Sequence, residues 1–124
     1  MRVVAAVIER DAKLLICLRP AHKRHGGLWE FPGGKVHEGE TERDAVIREL
    51  REELGVETVS VGEVLFRSVD EGGVFEICFI PAVVAGEPTA LEHSALAWCS
   101  RSDLLRYALA PSDRAFAHIT AEAR

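Results

Sequence analysis

Between Thr41 and Gly55 the chain runs for 13 residues without glycine or proline (ERDAVIRELREEL). Thr41 followed three residues later by Asp44 is a helix start of the capping-box kind, and Gly55 is a C′ glycine that ends the helix. On a wheel advancing about 100° per residue with Val46 at 0°, Leu50, Leu54 and Ile47 fall at about 40°, 80° and 100°, defining an apolar face. On the same wheel Glu53, Glu49 and Glu52 fall at about −20°, −60° and −120°. Three carboxylates therefore form a stripe, and two of them press against the apolar face. Glu49 and Glu53 are a like-charge i,i+4 pair, which costs a few tenths of a kcal/mol on an open helix and more when partly buried. One reading is that a cation neutralises the pair. Oxygen donors without His or Cys would select a hard ion, Mg²⁺ or Mn²⁺. The other reading is a solvated acidic face, with Arg48 paired to Glu52 and Arg51 turned outward.

The remaining segments supply a sheet for this helix. Val3–Ile8 and Lys13–Leu18, joined by Arg10-Asp11-Ala12, read as a β-hairpin. A basic irregular stretch follows (PAHKRHGG), then a glycine-rich turn Pro32-Gly33-Gly34. After the helix, Val56–Val69 and Val74–Ala85 read as two strands around Glu71-Gly72-Gly73, and Leu96–Cys99 as a short strand. Ser102 is placed as the cap of a short helix (DLLRYAL), and a last helix starts near Ser112, just after Pro111. There is no repeating βαβ unit. Hairpin-joined strands around one central helix predict an α+β fold with a mixed sheet and helices packed on it. One domain spanning residues 1–124 is expected.

Composition narrows the partners. Fifteen Lys and Arg against 20 Asp and Glu give a net charge of −5, so no global footprint for a nucleic-acid backbone exists. Any polyanionic ligand must be held locally, by metal ions or by the His22-Lys23-Arg24-His25 cluster. No apolar run approaches the roughly 20 residues of a membrane span. Val3–Ile8 is cut off by Glu9, Arg10 and Asp11, so a signal peptide is not expected. Cys17, Cys78 and Cys99 are odd in number, lack a CxxC and sit among apolar neighbours, so they read as buried reduced thiols in strands. A cytoplasmic setting follows as an expectation.

Spacing decides between the two readings of the helix. Gly34, five residues, Glu40, seven residues, then Arg48-Glu49-Leu50-Arg51-Glu52-Glu53-Leu54-Gly55-Val56 fills every position of the pattern GX5EX7REUXEEXGU, with U aliphatic. This resembles the Nudix hydrolases, and the surrounding WEFPGGKVHEGET is similar to their MutT-like branch. The resemblance implies the Nudix fold, an α/β/α sandwich around a mixed sheet. It implies Mg²⁺-dependent cleavage of a nucleoside triphosphate to the monophosphate and pyrophosphate, with Mn²⁺ able to substitute. It assigns metal ligation to Glu49, Glu52 and Glu53 with the carbonyl of Gly33. Glu49 is also the leading candidate for the base, Arg48 orients Glu49 or Glu53, and Glu40 positions the helix rather than binding the ion. Glu92 occupies the place of a further loop carboxylate that ligates a metal through water or serves as the base. Arg19 matches a phosphate- or sugar-contacting arginine, and Phe31 an aromatic lining the base pocket. Trp29 is read as packing and pointing the other way. His37, His93 and His118 lack metal-like spacing and are read as structural or surface.

Two departures bear on the base. Asp113, after Pro111-Ser112, stands where the purine-sanitising archetype has asparagine. An ionised Asp only accepts hydrogen bonds and would favour an exocyclic amino group, whereas a protonated one could donate to an oxidised guanine. Gly72 stands where the archetype has a base-side arginine. The expected substrates are thus oxidised triphosphates such as 8-oxo-dGTP, or CTP and dCTP. The alternatives are another nucleoside diphosphate derivative (ADP-ribose, a dinucleoside polyphosphate) or a non-catalytic nucleotide-sensing domain. The expected partner is a small nucleotide, with no membrane and no nucleic-acid polymer, and the chain a monomer or homodimer.

Overall fold

Val4 through Ile8 are buried without a break, which an edge strand or a one-sided sheet does not allow. In the computed structural model, which describes residues 1–70 and 72–122, this run is the middle of β1 (Arg2–Arg10), the hub of an eight-stranded mixed sheet. β1 forms a hairpin with β2 (Lys13–Leu18) and pairs in parallel with β7 (Glu76–Ala85), from Arg2↔Glu76 to Ile8↔Ala82. β3 (Trp29–Glu30) and β8 (Ala95–Ser100) flank β2, while β5 (Glu57–Val61) and β6 (Phe66–Val69) pair with β7. The hairpin turn is Asp11-Ala12, with φ of 50° and 64°, the two positive values that a tight two-residue turn demands.

Alternation along the central strands sends residues into two cores. Val4, Ala6 and Ile8 of β1, with Cys78, Ile80, Ala82 and Val84 of β7, pack under α1 (Glu42–Leu54). Ala5 and Val7, with Phe79, pack under α2 (Pro111–Glu122) and the 3₁₀ helix Arg101–Arg106. The result is the expected α/β/α sandwich. All three cysteines are free and buried on strands. Among the described residues no helix is long and apolar enough to cross a membrane.

Several sequence expectations are corrected. Pro32-Gly33-Gly34 is no free turn: Gly33–Lys35 form a short strand, β4, antiparallel to β1. The span Val56–Val69 is two strands, because it crosses Pro81 of β7. The Gly62 N–H still donates to the Pro81 carbonyl at 2.9 Å, but proline has no N–H to return the bond, and a Cβ at Gly62 would lie 2.8 Å from the Pro81 ring, so the regular ladder lapses there. The 3₁₀ helix is capped by Ser100, whose hydroxyl accepts from the Asp103 N–H at 3.3 Å, rather than by Ser102. Glu71 of the expected turn lies outside the described residues.

Candidate active site

Helix α1 begins and ends where its local chemistry dictates. Thr41 Oγ1 accepts from the Asp44 N–H at 3.0 Å, and Gly55 closes the helix in the left-handed conformation. The buried face, however, is turned toward the acidic stripe. Ala45, at about −100° on the wheel, is fully buried, whereas Ile47 at about 100° is half-buried. Glu53 thereby becomes a core residue, 8% exposed. Its Oε1 accepts from the Gly33 N–H at 3.0 Å. Burial first, and the neighbouring Glu49 charge second, push its carboxyl up to about 9, with Glu30 and Glu92 adding to the effect.

The two glycines of β4 permit this closeness for different reasons. A Cβ on Gly33 would collide with the Val4 carbonyl of the paired strand. A Cβ on Gly34 would sit 2.6 Å from the Glu49 carboxylate. Backbone and carboxylates can therefore face each other without a side chain between them.

Arg48 organises the outer half of the stripe. Its Nε and Nη2 donate to the two Glu40 oxygens at 2.8 and 3.0 Å, and Nη1 donates to Glu49 at 2.7 Å and to Glu52 at 3.2 Å. Nη2 also donates to the Lys35 carbonyl at 2.9 Å, fastening the helix to β4. The Arg48 hydrogen bonds hold the Glu40 carboxyl down to about 2. Of the two acids Arg48 was expected to orient, it reaches Glu49 and makes no hydrogen bond to Glu53. Glu52 is half-exposed and turned to Arg48.

A cavity of about 430 Å³ opens between β4, the basic loop after β2, the loop before β8 and the start of α2. It is lined by Gly33, Gly34, Glu53 and Glu92, by Arg19, Lys23, Arg24 and His25, and by Phe75, Ile77 and Asp113. Glu92 is exposed on its loop. That loop is fixed to α1 by the Thr89 N–H on the Leu54 carbonyl and the Leu91 N–H on the Glu53 carbonyl, at 2.9 and 3.1 Å.

Asp113 is brought to the cavity by strand β3. Trp29 N donates to Ala108 O at 2.7 Å and Ala110 N to Trp29 O at 2.9 Å, which clamps the segment before Pro111 beside Phe31. Asp113 Oδ1 then accepts from the Phe31 N–H at 2.8 Å. Burial raises its carboxyl to about 7, against the pull of that N–H. Phe31 lines the cavity but is only 3% exposed, with its ring edge-on to Phe79 and Phe116. Trp29 packs on the same core, contrary to the opposite direction expected of it. Residues i and i+2 of an extended chain share a face, and it is Glu30 that points the other way.

Glu30 and His93 are the site residues that sequence reasoning missed. Both line the cavity, with His93 Nε2 2.9 Å from Glu30 Oε2 and Arg19 Nη1 on both Glu30 oxygens at 3.1 and 3.2 Å. Strand parity in WEF sets Glu30 on the face opposite Trp29 and Phe31, but does not tell that this face also borders the cavity. His93 joins it from 63 residues away, a pairing that no local pattern reports.

Among the described residues no three Asp, Glu, His or Cys side chains converge closely enough to enclose an ion. The donor set nevertheless fits a hard divalent cation. Two adjacent carboxylates lie over a glycine backbone, and the buried one has a single N–H partner and no cation beside it. Glu49, Glu53 and the Gly33 carbonyl would hold the ion, with Glu52 and Glu92 at the margin.

Comparisons with known proteins agree with this geometry. The model of the NUDIX domain matches residues 1–118. The chain is 47% identical over 117 residues to the CTP pyrophosphohydrolase of Escherichia coli (strain K12), covering 91% of this chain and 85% of that one. It superposes on the solution structure of the E. coli ORF135 protein with a TM-score of 0.79 at 46% identity, covering 94% of this chain and 85% of the other. A MutT structure from the study of Aliivibrio salmonicida and Vibrio cholerae gives a TM-score of 0.83 at 28% identity, covering 98% of both chains. The carboxylate helix, the glycine strand beneath it and these matches over nearly the whole length make the chain a member of the Nudix hydrolase family, enzymes that act on phosphoanhydride bonds with a divalent cation.

Proposed function

We propose that the chain hydrolyses nucleoside triphosphates to the monophosphate and pyrophosphate with Mg²⁺, Mn²⁺ being able to substitute. The observation that carries this reading is one cavity lined together by Glu53 and Glu92, by Arg19 and the basic loop, and by a buried carboxyl, Asp113. Such a cavity suits a ligand that is anionic at one end and a hydrogen-bonding ring at the other. Glu49, Glu53 and the Gly33 carbonyl would hold a divalent ion, which would supply charge neutralisation for the polyphosphate and activation of water. Arg48 holds Glu49 to receive the proton of the attacking water; Glu92 is the second group placed for that task. As water adds to phosphorus the bridging P–O bond breaks and pyrophosphate leaves. The loop cations and Arg19 draw in and orient the polyanion.

Asp113 reads the base. With its carboxyl near 7, it is ionised above neutrality and accepts from an exocyclic amino group such as cytosine N4. Below neutrality it is protonated and can donate to an oxo-purine, which supports oxidised guanine triphosphates as a second substrate class. The E. coli relative carries the name CTP pyrophosphohydrolase, in keeping with the first class. A cytoplasmic location and a nucleotide as sole partner belong to the same reading. The test is pyrophosphate release from a panel of canonical and oxidised nucleoside triphosphates with Mg²⁺. Turnover of cytosine or oxo-purine members is expected. Turnover confined to ADP-ribose or dinucleoside polyphosphates, or binding without turnover, overturns the reading.

A further inference from the structure

We propose that His93 is a positioning residue for substrate binding, holding Glu30 so that Glu30 presents Arg19 to the nucleotide. The proposal rests on the reading of the cavity as a nucleoside triphosphate site. The His93 side chain is 5% exposed, and its only polar engagement among the described residues is Nε2 against Glu30 Oε2 at 2.9 Å. A carboxylate accepts and does not donate, so Nε2 carries the hydrogen. The other ring nitrogen, Nδ1, is buried without a partner among the described residues. The ring is thus engaged through Nε2.

Nε2 secures a carboxylate that is itself committed. Both Glu30 oxygens receive Arg19 Nη1, and Arg19 Nε donates to the Arg24 carbonyl at 2.7 Å. These bonds fix the guanidinium plane, and Nη2 makes no hydrogen bond among the described residues. Arg19 lines the cavity, so Nη2 is the end left for a phosphate or sugar oxygen. Without His93, Glu30 would be held by Arg19 alone, and the Glu30–Arg19 pair would lose the tether on Oε2 that fixes its direction in the cavity. The loop that carries Glu92 does not depend on the ring. Its backbone is tied through Thr89, through Leu91 and by the Ser94 N–H on the Leu18 carbonyl at 2.9 Å. Replacing His93 should thus disturb binding through Arg19 and spare the chemistry at Glu92.

The experiment measures kcat and KM for pyrophosphate release, with Mg²⁺ and the best triphosphate of the panel, in His93→Leu, His93→Gln, Glu30→Gln and the His93→Leu/Glu30→Gln pair. His93→Leu should raise KM about tenfold with kcat within about twofold, the behaviour of a lost contact that acts equally in ground and transition states. His93→Gln, which keeps a donor near the Nε2 position, should return KM to within about threefold of wild type. Glu30→Gln should also raise KM, and the double variant should add little, as two members of one link behave. If the wild type releases no pyrophosphate from any triphosphate, the cavity reading falls and this proposal with it. If the wild type is active, the positioning role alone is refuted by an unchanged KM in His93→Leu, a fall confined to kcat, or a glutamine variant as impaired as leucine. Should His93→Leu not fold, an unchanged KM in Glu30→Gln refutes it equally.

Discussion

Replacing Asp113 with asparagine tests whether the cavity keeps an ionisable group at the expense of the fold. The carboxyl is 7% exposed and raised from 3.8 to about 7 by burial. Between those two values the native state binds a proton that the unfolded chain has released, so stability falls as pH rises through that window. The full penalty is the interval from 3.8 to about 7 taken at about 1.36 kcal/mol per pH unit, or about 4 kcal/mol once the pH exceeds 7. The asparagine amide carries no such penalty and keeps an oxygen for the Phe31 N–H. It exchanges a charge-assisted hydrogen bond for a neutral one, a loss of about 1 kcal/mol. Asp113→Asn should therefore exceed wild type by roughly 3 kcal/mol at pH 8, with most of the gain gone by pH 5. Urea denaturation at half-unit steps from pH 5 to pH 8.5 gives the difference directly, since every other titrating group is common to both proteins. In the same variant, relative kcat/KM should shift about 10–100-fold from cytosine-type toward oxo-purine triphosphates above pH 7. A stability difference that does not change with pH would refute the argument, because it would mean that the carboxyl is already hydrated or neutralised at pH 8. An equal drop in kcat/KM for all nucleotides would assign Asp113 to the fold alone.

Glu53→Gln should lower turnover at saturating Mg²⁺ by orders of magnitude, read by pyrophosphate release, while thermal denaturation in chelator shows no loss of stability, because burial first and Glu49 second already disfavour the ionised carboxyl that glutamine replaces. Gly33→Ala and Gly34→Ala should separate: the first collides with the backbone of β1 and should fold poorly by circular dichroism, whereas the second meets the movable Glu49 carboxylate and should keep its fold but lose activity. Ala12→Gly should raise stability by about 0.5–1 kcal/mol in urea denaturation, since alanine at φ 64° is strained and this turn is remote from the cavity.

What was legible in the sequence was legible because its causes are local. Thr41, Asp44 and Gly55 set both ends of α1 through hydrogen bonds spanning one turn, and those bonds form as expected. The carboxylate stripe follows from helical spacing, but its burial does not. The rotation that seals Ala45 and leaves Ile47 half-covered is set by β4, whose pairing with β1 reaches across some 30 residues. The break between β5 and β6 depends on Pro81, a residue of their partner strand. Arg48 was legible as a pairing group for Glu52, four residues on, while its bonds to Glu40 and to the Lys35 carbonyl come from tertiary folding. The Arg19–Glu30–His93 link joins three elements and was invisible for that reason. The direction of Trp29 was within reach, since strand parity alone assigns it.

The parallel pairing of β1 with β7 also governs the order in which the chain can assemble. Every rung, from Arg2↔Glu76 to Ile8↔Ala82, joins residues 74 positions apart. Closing a loop of that length costs about 4 kcal/mol of chain entropy before any rung compensates, whereas the β1–β2 hairpin and α1 need only their own neighbours. The hairpin and helix should accordingly appear early and the central ladder late, giving the slow folding of a high-contact-order topology. Until β7 arrives, the apolar run Val3–Ile8 has an open edge that a second chain can occupy. Refolding yield should therefore fall with protein concentration well before native stability is an issue.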